Sequence, residues 1–278
     1  MYAYMRDLSD LRSSIDLDVG SSQPVPALLQ LPCIDRRVPA VLLVHGLTSR
    51  KEDMADSIGR ALVRRDIASL AIDLPLHGAR SRGARAFSFR NPMTVIETWR
   101  LALCEAGCAI TYLARHAAID DSRIAISGYS VGAYISMILA ASEPRISAIA
   151  LTAGGDLPPG LPFMPLIRTM IDPLRAVQAL NGRPLLLMNG TRDRRIPPAQ
   201  ATTLFEAAGQ PKELRWYDGG HWPPPSAVES VADWLAIRLA ARPSALSEQP
   251  AALAGSSPPP PRRSTEKSPT QTPPDPSR

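Results

Sequence analysis

Gly128-Tyr129-Ser130-Val131-Gly132 sets a serine between two glycines, directly after the apolar run Arg123 to Ser127 and directly before a helical pattern. A serine in a sharp turn from strand to helix is held exposed, and small flanking residues let the two backbones approach closely. Ser130 is therefore a candidate nucleophile for acyl transfer. The start of the following helix adds unpaired N–H groups and a positive dipole end where an oxyanion would form.

A serine hydroxyl needs a base, and the chain offers four histidines: His45, His77, His116 and His221. His221 lies in Asp218-Gly219-Gly220-His221-Trp222, a glycine-rich loop after the last strand pattern and before the last helical one. A base in that loop can swing over the sheet edge to the serine. The carboxylate that orients the imidazole should come from an earlier strand end. Asp193, in Asn189-Gly190-Thr191-Arg192-Asp193, occupies such a place, and the chain order is then Ser, Asp, His. Asp156, beside Gly154-Gly155, is the reserve candidate for the acid. His45 precedes Gly46 and should shape its loop with the ring turned inward. His77 should face the same cleft, and His116 should sit on the surface at a helix end. Positions His45, His77, Tyr129, Phe163 and Trp222 form the candidate substrate-binding set.

These residues need a scaffold that brings distant loops to one edge. Short apolar runs at Ala40 to His45, Ile67 to Asp73, Arg123 to Ser127, Ile146 to Leu151, Pro184 to Asn189 and Lys212 to Tyr217 read as strands. Helical patterns over about 52–65, 93–116, 130–142, 173–181, 198–208 and 224–241 alternate with them. That alternation predicts an α/β fold, a doubly wound, mostly parallel sheet covered on both faces. Such sheets bind ligands at the carboxyl ends of their strands. Residues 12–32 predict an antiparallel pair at the sheet edge.

His45-Gly46-Leu47-Thr48-Ser49-Arg50-Lys51-Glu52, Asp73-Leu74-Pro75-Leu76-His77-Gly78, Gly128 to Gly132, Asn189 to Pro197 and Gly219-Gly220-His221 together resemble the α/β-hydrolase superfamily. The likeness is greatest to its dienelactone-hydrolase-like and prolyl-oligopeptidase-like esterase branches, and covers about residues 12–241. The resemblance implies that the backbone N–H groups of Leu47 and Val131 form the oxyanion hole. It also implies that the segment from Thr152 to Asp172 is a short cap insertion over the serine. The dienelactone hydrolases proper carry a cysteine nucleophile, so Ser130 does not imply their substrate. The apolar Leu157, Leu161, Phe163 and Met164 of the insertion either build a pocket for a small apolar substrate or pack a loop onto the sheet.

Three functions fit these residues: a serine hydrolase of a carboxylic ester or thioester, which the pattern favours; a serine peptidase of prolyl-oligopeptidase type; and a non-catalytic binding protein on the same fold. The first calls for a small-molecule ester substrate and for no cofactor or metal. The second is weakened because no large N-terminal propeller precedes the hydrolase pattern.

Composition bounds the reading further. The chain has 278 residues, enough for one large domain at 1–241 followed by a tail. From 242 to 278 the chain is rich in proline, including Pro258 to Pro261, and this segment is expected to be disordered. No stretch approaches the roughly 20 apolar residues of a membrane span, and no secretory signal opens the chain, so a cytoplasmic location is expected. The net charge is +5, but nearly all of the 31 basic residues are arginines spread along the chain, which predicts no nucleic-acid partner. Arg80, Arg82, Arg85 and Arg90 cluster, either as a solvated loop or as a lure for an anionic substrate. Three cysteines, Cys33, Cys104 and Cys108, argue against a disulfide framework. Cys104 and Cys108 share a helix face and are expected to be small buried residues.

Overall fold

In the computed structural model, residues 12–20, 23–81, 92–157, 168–169 and 171–240 are described. Eight strands, β1 (Arg12–Leu17), β2 (Val25–Gln30), β3 (Val38–Val44), β4 (Ala68–Ile72), β5 (Ile119–Tyr129), β6 (Ile146–Thr152), β7 (Leu185–Gly190) and β8 (Lys212–Tyr217), form one sheet. Its order is β1-β2-β4-β3-β5-β6-β7-β8. β2 runs antiparallel to both β1 and β4, and every other neighbouring pair is parallel. This is the doubly wound, mostly parallel sheet of an α/β-hydrolase fold, with the expected antiparallel pair at one edge.

The central strands are continuous apolar runs because both faces are covered. Alternate side chains of β3 divide between two layers: Leu42 and Val44 join one cluster, Val41 and Leu43 the other. Helices α2 (Pro92–Arg115), α3 (Val131–Ser142), α4 (Pro173–Gln178) and α5 (Pro198–Ala207) cover the first face. Helix α1 and helix α6 (Pro225–Ala240) cover the second. α1 runs through Lys51–Met54, a π-helical turn at Ala55–Gly59, and Arg60–Val63. Among the described residues, no helix is long and apolar enough to cross a membrane.

The register brings the carboxyl ends level. Val44 pairs with Gly128 and Tyr129 with Thr152, so the loop after β3 and the loop after β6 flank the turn after β5. Gly190 pairs with Tyr217, which sets the loops after β7 and β8 side by side.

Several expectations need correction. β5 begins at Ile119, four residues before the apolar run, because Asp120, Asp121 and Ser122 continue the strand at its solvated end. Cys104 is exposed and Cys108 only half-buried: their shared helix face looks outward instead of into the core. His116 lies just past α2, half-buried, and its Nδ1 accepts the Ala118 N–H at 3.2 Å. Arg80 does not extend into solvent. It pairs with the buried Glu105 through both nitrogens, at 2.6 and 2.8 Å. The other arginines of that cluster (Arg82, Arg85 and Arg90), Phe163 and the 242–278 segment lie outside the described residues.

Candidate active site

Ser130 stands between β5 and α3 with φ 55 and ψ −116, a conformation that non-glycine residues rarely adopt. The turn holds it there. Its own N–H donates to the Thr152 carbonyl at 2.9 Å, and its carbonyl accepts the Ala133 N–H at 2.8 Å. The flanking glycines are required by proximity. A Cβ at Gly128 would run into the Gly132 carbonyl, and one at Gly132 into the carbonyls of Val44 and His45.

Two loops meet this turn. His221 reaches back from the loop after β8, and its Nε2 lies 2.9 Å from Ser130 Oγ. Its Nδ1 lies 2.8 Å from Oδ2 of Asp193, on the loop after β7. The other Asp193 oxygen accepts the backbone N–H groups of Arg195 at 2.8 Å and Ile196 at 3.0 Å. The carboxylate is thus buried yet fully partnered, and cannot rotate away from the imidazole without breaking two bonds. Asp156 faces elsewhere: its Oδ2 accepts from Arg168 at 2.8 Å. The hydroxyls of Tyr129 and Tyr217 both donate to the His221 carbonyl, at 3.3 and 3.1 Å, and so clamp the loop that carries the ring. Burial raises the pKa of both phenols, that of Tyr217 to about 12, so they stay protonated as donors. The sequence reading missed the Tyr217 clamp, although its place at the end of β8, just before the His221 loop, was a signal for it.

Gly46, after β3, packs against Ser130, where an added Cβ would come within 3.2 Å of the serine Cβ. Leu47 follows it, half-buried. Among the described residues, neither the Leu47 nor the Val131 N–H donates to a protein acceptor. Val131 directly follows Ser130, and Leu47 directly follows the Gly46 that packs against it.

His45 is wholly buried, with Nδ1 against the Gly46 carbonyl at 2.7 Å and Nε2 accepting the Leu74 N–H at 3.0 Å. Burial pushes its pKa down to about 4. Its 4.0 Å approach to Asp73 is therefore not an ion pair at neutral pH. The ring is turned into the fold and braces its loop. His77 packs on it with ring centroids 5.2 Å apart and is itself buried. Beside His45, Asp73 accepts the Lys51 ammonium at 2.8 Å, the Lys51 N–H at 2.9 Å and the Ala79 N–H at 2.9 Å. Burial alone would lower the Lys51 pKa. The bonds to Asp73 and Glu52 outweigh that and hold it above its ordinary value. Trp222 is largely exposed, its ring 5.3 Å from that of Tyr129. Among the described residues, no group of three or more His, Cys, Asp or Glu side chains is gathered to hold a metal.

The profile of the alpha/beta hydrolase family matches residues 41–261. The chain is 25% identical over 259 residues to "Esterase YjfP" of Escherichia coli, a match covering 81% of this chain and all of that one. It is 29% identical over 117 residues to "Polyketide transferase ATR5" of Stachybotrys chlorohalonatus, a match covering 42% of this chain and only 36% of that one. The fold is similar to the crystal structure of TT1662 from Thermus thermophilus. There the TM-score is 0.70 at 23% identity, over 83% of this chain and 99% of that chain. With the family profile spanning most of its length, the chain belongs to the alpha/beta hydrolase family.

Proposed function

We propose that this protein is a serine hydrolase that cleaves a carboxylic ester or thioester of a small apolar substrate through an acyl-enzyme. The observation that carries this reading is the unbroken chain from Asp193 through His221 to Ser130, at 2.8 and 2.9 Å, on a strained turn. A relative named an esterase over its full length supports the choice of ester.

In this mechanism Ser130 Oγ attacks the ester carbonyl carbon while His221 Nε2 takes its proton. Asp193 stabilises the imidazolium and fixes the tautomer that leaves Nε2 free to accept. The Leu47 and Val131 N–H groups bind the oxyanion, where each donor contributes most because water is excluded. His221 then gives its proton to the leaving alcohol or thiol. A water then attacks the acyl carbon while His221 takes its proton, and His221 passes that proton to Ser130 Oγ as the acyl–oxygen bond breaks and the acid leaves. No cofactor is needed.

The test is labelling of the purified protein by a fluorophosphonate probe, together with turnover of short p-nitrophenyl esters. Labelling and turnover that both vanish in Ser130→Ala are expected. A protein that neither reacts with the probe nor turns over any ester would remove this reading and leave the non-catalytic one.

A further inference from the structure

On the α1 and α6 face of the sheet lies a cleft of about 230 Å³. Its floor is apolar: Met54 and Ile58 from α1, Val228 and Val231 from α6. Its exposed rim carries Ser57 on one side and Trp222 on the other. The wall toward the sheet is built from the segments that hold the candidate active site. Gly128 and Tyr129 immediately precede Ser130, and Thr152 takes the Ser130 N–H. Tyr129 and Trp222 line the cleft and also touch the imidazole: the rings of Tyr129, Trp222 and His221 form a cluster, with centroids 5.3 Å apart for Tyr129–His221 and Tyr129–Trp222 and 6.2 Å for His221–Trp222.

Two further features set this cleft apart from an ordinary packing defect. The π-helical turn Ala55–Gly59 lies in its wall and carries Ser57 and Ile58. Such turns are rare and recur at functional sites, since they displace side chains from the α-helical register. Trp222 is 59% exposed, although a large aromatic side chain gains most from burial. A ligand in the cleft would cover it.

We propose that this cleft binds the apolar group of the ester, with Met54, Ile58, Val228 and Val231 as its floor and the Tyr129–Trp222 pair as the wall it shares with the imidazole. This rests on the serine-hydrolase reading and adds where the apolar group is bound and how large it can be. An apolar cavity of about 150 Å³ holds a benzene molecule, so this one suits a chain of about six to eight carbons or a ring with a short side chain. That group is either the acyl chain or the alcohol of the ester, and the chemistry of recognition is the same for both.

The full-length protein is assayed on p-nitrophenyl esters from acetate to decanoate, and on acetate esters of alcohols from ethanol to decanol. In the wild type, kcat/KM rises toward the hexanoyl or the hexyl ester in one of the two series. Val228→Phe puts a ring into the cleft from a half-buried helix position, and Ser57→Phe does so from the exposed rim. Each lowers the hexyl-to-ethyl or hexanoyl-to-acetyl ratio of kcat/KM by about tenfold or more, and the series that responds identifies the acyl or the alcohol side. A second arm needs no turnover: hexanoate and hexan-1-ol are titrated into Ser130→Ala, followed by tryptophan fluorescence, with Trp222→Phe assigning the signal. Saturable binding of one of them, lost on adding Val228→Phe or Ser57→Phe, is expected. Unchanged ratios in both series, in variants that melt like the wild type, would overturn the proposal, as would the absence of saturable binding. Binding that responds to the cleft variants in a protein with no ester turnover would instead keep the cleft and remove the serine-hydrolase reading.

Discussion

Asp193 meets His221 with one carboxylate oxygen at 2.8 Å from Nδ1, while its second oxygen is held by the N–H groups of Arg195 and Ile196. Asp156 has its own partner in Arg168 and makes no bond to the imidazole. Asn at 193 would keep the shape but offer an amide where a carboxylate must stabilise the imidazolium. Asp193→Asn should therefore lower kcat by about 10⁴-fold on an activated ester, with KM little changed. Asp156→Asn should cost less than about tenfold. Steady-state kinetics of both variants on one ester decide it: a greater loss in the Asp156 variant would move the acid to that residue.

Much of this arrangement is legible in the chain. Gly128, Ser130 and Gly132 are tied to their positions by local sterics, and local sterics leave a motif. The strand pattern is equally clear wherever a run is buried on both faces, as in β3. What escapes is whatever depends on contacts between distant segments. The π-helical turn in α1 leaves no break in apolar periodicity, and the Arg80–Glu105 pair joins residues whose proximity only the packing of α2 creates. The outward face of Cys104 and Cys108 was misread for a similar reason: apolar neighbours in sequence occupy other sides of the same helix.

Replacement of the serine separates chemistry from folding. Ser130→Ala should reduce kcat by a factor on the order of 10⁴ to 10⁶, with a residue of activity from the oxyanion donors. Stability should change by no more than about 1 kcal/mol, since the half-buried hydroxyl contributes little packing. Ser130→Gly should melt at least as high as Ser130→Ala. Relief of a positive φ is worth about 1–3 kcal/mol, against about 0.5–1 kcal/mol for the entropy of glycine. Thermal melts of both variants check the strain, and an alanine variant with near-native turnover would exclude Ser130 as nucleophile.

The buried His45 predicts how stability depends on pH. Its pKa is about 4 in the folded protein and about 6.5 when unfolded, so between these values the unfolded chain binds the extra proton. Stability is therefore fully present above about pH 6.5 and is lost as pH falls toward 4, by about 2 kcal/mol between pH 7 and pH 5. Glu143 and Glu213, whose carboxyls are held below their ordinary values, add their losses only at lower pH. Urea unfolding at pH 7 and pH 5 measures the slope, and His45→Gln should flatten it. An equal slope in that variant would assign the titration to another group.

Asp73 predicts a cost in the loop that carries Leu47. Its two oxygens take three donors, the Lys51 ammonium, the Lys51 N–H and the Ala79 N–H, in a site without exposure. Asn at this position has one acceptor oxygen, so one backbone N–H would face an NH₂ group, and the Lys51 ammonium would keep only Glu52 at 2.9 Å. Removing one member of a buried pair costs about 3–5 kcal/mol, and Asp73→Asn should fall in that range. Lys51→Met should cost less, because the carboxylate would keep both backbone donors and the methionine would fill most of the volume of the lysine stem. Beyond stability, the N–H of Leu74, the residue after Asp73, is the donor to His45 Nε2, so this loop is tied to the His45-Gly46-Leu47 segment. Loosening them should lower kcat more than it raises KM, since in the proposed mechanism the Leu47 N–H is engaged most strongly in the transition state. Equilibrium unfolding of both variants, with kinetics at a temperature where each is folded, separates the two effects. An Asp73→Asn protein within about 1 kcal/mol of the wild type would show that the clasp contributes little to the fold.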